Sequence, residues 1–183
     1  GPGGADGQSG LVGVPGARGP VGDTGSLTFA ATRGIPKPSV KTALDTDGEI
    51  GSHTSITIGA DGLGLISYYD TTNGALKVAH CSNPLCTRAD IATLDSIGTV
   101  GQFTSVIVGA DGLGLISYYD ATNGSLKVAH CSNVSCSSAT VTILDNSGNV
   151  GSYSAVTIGA DGLGLISYYD FTNADLKVAH CED

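Results

Sequence analysis

Residues Gly59–Cys81 read GADGLGLISYYDTTNGALKVAHC, and the pattern returns at Gly109–Cys131 and again at Gly159–Cys181. The offset is 50 residues each time, with no insertion or deletion. A fixed period of about 20–50 residues marks one supersecondary unit copied in tandem, whose neighbours stack to bury faces that no unit can bury alone. That unit limits what the chain can become.

The second repeat shows its content. Thr104–Val108 is a β-branched run, and Gly109-Ala110-Asp111-Gly112 carries Asp-Gly turn chemistry. Leu113–Tyr119 reads as a second strand, Asp120–Gly124 as a turn, Leu126–Cys131 as a third strand and Thr140–Leu144 as a fourth. No stretch keeps a helical period. Each repeat is therefore expected to be four short antiparallel strands joined by tight turns, in an all-β domain.

A four-stranded unit of roughly 40–50 residues is the size of one propeller blade. The ISYYD…TN…LKVAHC pattern also resembles repeats of bacterial secreted proteins that form β-propeller blades. That resemblance covers residues 39–183, and it implies a fold without implying an active site. A β-trefoil or a β-prism-like packing of three sheets are the alternatives.

Residues 1–27 follow another rule. Glycine falls at every third position from Gly1 to Gly25, an unbroken G-X-Y register with Pro2, Pro15 and Pro20 in it. Three wound polyproline-II chains admit only glycine at their axis, so this register predicts a collagen-like triple-helical segment. Residues 28–38 form a proline-containing linker, and 39–183 the three-repeat domain, with repeats at about 51–95, 101–145 and 151–181. The chain contains no methionine, so a processed product or fragment is expected.

Ser39-Val40-Lys41-Thr42-Ala43-Leu44-Asp45 aligns, at the same period, with the fourth strands ending Leu94-Asp95 and Leu144-Asp145. The last repeat stops after its third strand at Cys181. Ser39–Asp45 is thus an orphan fourth strand, expected to complete the last repeat of its own chain or of a neighbour. Two prolines in Gly34–Pro38 resist a tight reversal and favour the neighbour. Three blades are too few for a ring, since propellers have about four to eight. A partner copy is therefore expected, in a trimer or a filament.

Lys and Arg number 8 against 17 Asp and Glu, a net charge of −9. Such a balance disfavours nucleic acid and anionic membrane surfaces, and no apolar run reaches the roughly 18 residues of a membrane span. Cys81 and Cys86, and Cys131 and Cys136, each span the turn between third and fourth strands, where a disulfide is expected; Cys181 is left unpaired or interchain. Disulfides imply an oxidising compartment, hence an extracellular or cell-surface protein, with bacterial origin following from the resemblance.

Candidate chemistry is sparse. Asp61, Asp111 and Asp161 read as turn formers rather than calcium ligands, since one carboxylate per turn falls short of the 6–8 oxygens calcium takes. His80, His130 and His180 read as packing residues, and no metal or cofactor is expected. One position varies among constant neighbours: His53, Phe103 and Tyr153, placed just before the first strand of each repeat. With the turns Asp70–Asn73, Asp120–Asn123 and Asp170–Asn173 they form the candidate ligand patch, Asp and Asn around aromatics being suited to sugars. No nucleophile–base pair stands out, and every candidate Asp or His is copied in register, as a scaffold residue would be. The expected function is that of a non-enzymatic structural subunit that assembles by strand donation. A carbohydrate-binding adhesin on a collagen-like stalk is the alternative.

Overall fold

A computed structural model describes Gly3 and residues 40–182. The expected triple-helical segment, the linker and Ser39 otherwise lie outside the described residues. Eleven strands follow in chain order. The first repeat holds β1 (Ile50–Ile58), β2 (Gly64–Asp70), β3 (Ala75–Cys81) and β4 (Ala89–Asp95). The second holds β5 (Val100–Val108), β6 (Gly114–Asp120), β7 (Ser125–Cys131) and β8 (Ala139–Asp145). The third holds β9 (Val150–Ile158), β10 (Gly164–Asp170) and β11 (Asp175–His180).

Each repeat is its own antiparallel meander, ordered β1-β2-β3-β4, β5-β6-β7-β8 and β9-β10-β11. Among the described residues no strand pairs outside its repeat, whereas a trefoil would share strands in one barrel. The sheets instead pack face to face with β1, β5 and β9 side by side, as propeller blades do around an axis. The Gly-Ala-Asp-Gly turns close through Gly62 N–H to Gly59 O and its copies, with Asp61 Oδ1 accepting from Leu63 N–H at 3.0 Å.

The first strand starts earlier than the sequence indicates. Val100-Gly101-Gln102 already pairs with β6, and the register slips between Val100 and Ser105. Phe103 sits inside this bulge with φ 52°, as do His53 (52°) and Tyr153 (55°). A bulge takes up extra residues by bending the strand. These aromatics therefore lie within the strand rather than before it.

The core lies between the sheets. Leu65, Leu76 and Val78 of the first sheet meet Val100, Val106, Ile116 and Tyr118 of the second. Leu126 and Val128 meet Val150, Ile166 and Tyr168 in the next joint. Full burial of one such side chain is worth about 1.5–3 kcal/mol. Close approach needs glycine: a Cβ on Gly101 would stand 2.7 Å from Leu76 Cα, and one on Gly151 2.7 Å from Leu126 Cα.

Both ends of the stack expose apolar side chains. Leu176 is 80 % exposed and Val178 59 %, although their counterparts Leu76 and Val78 are fully buried. At the other end Ile56 and Ile58 stand 64 % and 63 % exposed. Val40–Asp45 joins no sheet, and among the described residues the outer edge of β11 has no partner strand.

Candidate functional site

The most developed polar construction lies at the joints. Tyr118 Oη donates to Asp95 Oδ2 at 2.8 Å and Lys127 Nζ to the same oxygen at 2.5 Å, with Asp120 Oδ2 3.6 Å from the ammonium. Asp95 ends β4 of the first sheet, while Tyr118 and Lys127 are cross-strand partners on β6 and β7 of the second. One carboxylate thus latches each sheet to the next. Asp145 repeats the arrangement with Tyr168 at 2.7 Å and with Lys177.

Asp45 repeats it as well. Its Oδ2 accepts from Tyr68 Oη at 2.8 Å and Lys77 Nζ at 2.6 Å. Residue 45 therefore occupies the place where the fourth strand of a preceding blade would end. Burial alone would raise the Asp95 carboxyl, but hydrogen bonds from Lys127, Ile97 N–H and Tyr118 outweigh it and hold it below the usual range; Asp45 and Asp145 are lowered likewise. Burial, then the bond to the carboxylate, pushes Tyr68, Tyr118 and Tyr168 well above the ordinary phenol value.

Sequence reasoning missed this latch. The available signal was a lysine kept at Lys77, Lys127 and Lys177 between a Leu and a Val, together with an Asp closing each fourth strand.

The candidate ligand patch divides. Phe103 lies 4.6 Å from His53 and 4.4 Å from Tyr153, centroid to centroid, so the three form one row across the first strands. Tyr153, at the end of the row, is 70 % exposed. The aspartates turn inward instead. Asp70 Oδ1 accepts from Asn73 N–H and Oδ2 from Asn73 Nδ2, both at 2.9 Å, and Asp120–Asn123 and Asp170–Asn173 do the same. Asp70, Asp120 and Asp170 are buried, so their carboxylates lock turns and leave the patch, while Asn73, Asn123 and Asn173 stay at the surface.

At the other end of the sheets, His130 Nε2 lies 2.8 Å from Asp111 Oδ2 and His180 Nε2 2.7 Å from Asp161 Oδ2. His80 Nε2 comes within 2.9 Å of Asp61 at an angle that makes no hydrogen bond. A cleft of about 520 Å³ between the second and third sheets is lined by Asp111, His130, Asp161, Leu115 and Cys181. Burial pushes the Cys181 thiol up. Among the described residues no three His, Cys, Asp or Glu side chains gather as a metal site.

Cys81–Cys86 and Cys131–Cys136 are disulfides, with Cα atoms 4.9 and 4.8 Å apart, and Cys181 is free. Among the described residues no helix is long and apolar enough to cross a membrane.

No protein-family model matches the chain. No curated protein sequence matches it. Among solved structures, a GH43 β-1,3-galactosidase superposes on 77 % of this chain and 36 % of its own, at 10 % identity and TM-score 0.53. An endo-arabinase from Bacteroides thetaiotaomicron matches over 72 % of this chain and 56 % of its own, at 17 % identity and TM-score 0.46. The chain thus spans about a third and just over half of those two proteins. A fucose lectin from Kordia zhangzhouensis matches over 70 % of this chain and 91 % of its own, at 13 % identity and TM-score 0.44. At such identities the galactosidase likeness speaks to the all-β fold alone, and the other two carry no argument.

Proposed function

We propose that this chain is a non-enzymatic extracellular structural subunit that assembles with copies of itself by strand donation. The G-X-Y segment, residues 1–27, serves as a collagen-like stalk that gathers such subunits into a fibrous surface assembly, whatever the number of chains in each β unit. One observation carries the reading: Asp45 is latched to Tyr68 and Lys77 as a fourth-strand terminus, yet among the described residues the segment before it pairs with no strand. An unpaired strand edge is a template for another chain, and exchanging an identical element between copies costs little. Ser39–Asp45 is the donated element, and the edge of β11 is its acceptor. The enclosed cysteine pairs suit an oxidising exterior.

Deleting residues 1–45 tests this. The shortened protein should be less stable and fail to assemble, and a Ser39–Asp45 peptide should restore stability. Normal assembly of the deleted protein would refute the reading.

A second reading, carbohydrate binding, is favoured by the row His53–Phe103–Tyr153. Its backbone is held three times over in a left-handed conformation that costs about 1–3 kcal/mol per residue. Such strain concentrates where side chains are positioned for a ligand. Glycan-array binding that disappears in Phe103→Ala and Tyr153→Ala supports it; an array without any signal removes it.

A further inference from the structure

The two end faces of the sheet stack are the two halves of one joint. Between the first and second sheets, Gly101 seats against Leu76 Cα and Gly114 against Leu65 Cδ2; between the second and third, Gly151 seats against Leu126 and Gly164 against Leu115. Gly51 is the first-sheet counterpart of Gly101 and Gly151, keeps a positive φ of 91°, and among the described residues has nothing within 4 Å of its would-be Cβ. Gly64, the counterpart of Gly114 and Gly164, meets no leucine of another sheet.

The polar half is split in the same way. Thr104 Oγ1 donates to Ser67 Oγ at 2.8 Å, and Ser117 and Ser154 hydroxyls meet at 2.9 Å. The remaining members of that series, Ser167 on the last sheet and Thr54 on the first, stand apart. Leu176, Val178 and Ser167 therefore present what Gly51, Gly64 and Thr54 are shaped to receive. One chain does not bring these faces together, since Leu176 is exposed while Asp45 stays latched at the opposite end.

Resting on the self-assembly reading above, we infer that two copies of this chain close reciprocally into one ring of six blades. The last sheet of each copy packs on the first sheet of the other. Propellers have about four to eight blades, and six is the multiple of three in that range. Closure also gives the donated segment its register. In the complete blades Leu76 pairs with Asp95, Lys77 with Thr93 and Val78 with Ala92, and β7–β8 repeats this. The same 50-residue offset places Asp45 opposite Leu176, Ala43 opposite Lys177 and Thr42 opposite Val178 of the second copy. Each joint brings two unlike faces together, but the two joints are related by a twofold axis, so the pairing is isologous and the β-domain contact ends at two chains, where a non-closing contact would make a fibre.

The test is a Thr42→Cys/Val178→Cys variant of the full chain, with Cys181→Ser, oxidised and run on a denaturing gel without reductant. Ring closure predicts one covalent band at twice the chain mass and none above it. A ladder of dimers, trimers and longer species would overturn the closed ring while leaving strand donation intact. A band at single-chain mass, with or without an internal disulfide, would overturn both. Leu176→Glu supplies a check independent of cysteine placement: the side chain is solvent-exposed in the single chain, so melting of that chain should be unchanged while association measured by light scattering is lost. Association as strong as the parent's would place the contact elsewhere and overturn the ring.

Discussion

Removing the Asp95 carboxylate should be among the most damaging single changes on the polar side of this fold. The side chains of Lys127 and Asp95 are only 9 % and 4 % exposed, so Asp95→Ala strands an ammonium and the Tyr118 hydroxyl inside the joint. Removing one partner of a buried ion pair costs about 3–5 kcal/mol, because the charge left behind is uncompensated. Asp120 Oδ2 remains 3.6 Å from the ammonium, which puts the expected loss at the lower end, about 3 kcal/mol. That is roughly a hundredfold in the folding equilibrium, and roughly 10 °C in melting temperature for a domain of this size. Urea unfolding followed by circular dichroism measures it. The double variant Asp95→Ala/Lys127→Met separates charge burial from lost packing, since replacing both members of a buried pair by apolar groups is often neutral. It should recover most of the loss. A single variant costing under about 1 kcal/mol, the range of an exposed pair, would show that the latch is hydrated and the reasoning wrong. A double variant no better than the single would do the same.

Acid should act through the same groups. Asp45, Asp95 and Asp145 have carboxyls held below the ordinary 3.8 in the folded chain, so the stability they add is complete above that value. It is lost as pH falls through their lowered folded values, and melting temperature should drop on acidification below about pH 4; an unchanged melting temperature at pH 2.5 would contradict this. Joint replacement of Cys131 and Cys136 by serine opens a short loop, and the chain-entropy term for such a loop is about 2 kcal/mol. Mass spectrometry without reductant should find Cys81, Cys86, Cys131 and Cys136 all protected from alkylation. Gly101→Ala should cost well over 1 kcal/mol, from φ of 105° and an overlap with Leu76 backbone, and equilibrium unfolding checks it. Gly51→Ala carries only the conformational part of that cost in a single chain, so equal losses at the two positions in separated chains would refute the packing argument.

Much of this architecture was legible because tight turns announce themselves. Asp61-Gly62 and Asp70–Gly74 bound the second strand, and the copies at 50-residue offsets leave little freedom in placing the others. The start of the first strand was hidden, because Gly51-Ser52-His53 lies ahead of the β-branched run that marks the strand, while the bulge keeps it in the sheet. Asp70 illustrates a second limit: a turn aspartate near aromatics looks available, but its direction depends on Asn73 and Lys77, and both draw it inward. The latch lay further out of reach. Asp95 meets residues 23 and 32 positions away in the following sheet, and pairing of that kind follows from how sheets stack rather than from any local period. The aromatic row is intermediate: its members were visible as the variable position, their mutual contact only in space.

The sameness of the joints has a bearing on how such chains diversify. Gly101 on Leu76 and Gly151 on Leu126 are interchangeable contacts, so adding or deleting one 50-residue cassette would keep the glycine-on-leucine packing of every remaining interface. If ring size is fixed by blade curvature at six, the number of cassettes per gene would set the number of subunits: three copies of a two-cassette chain, two of this one, a single copy of a doubled one. Subunit count would then be a matter of tandem duplication, with no new interface to evolve.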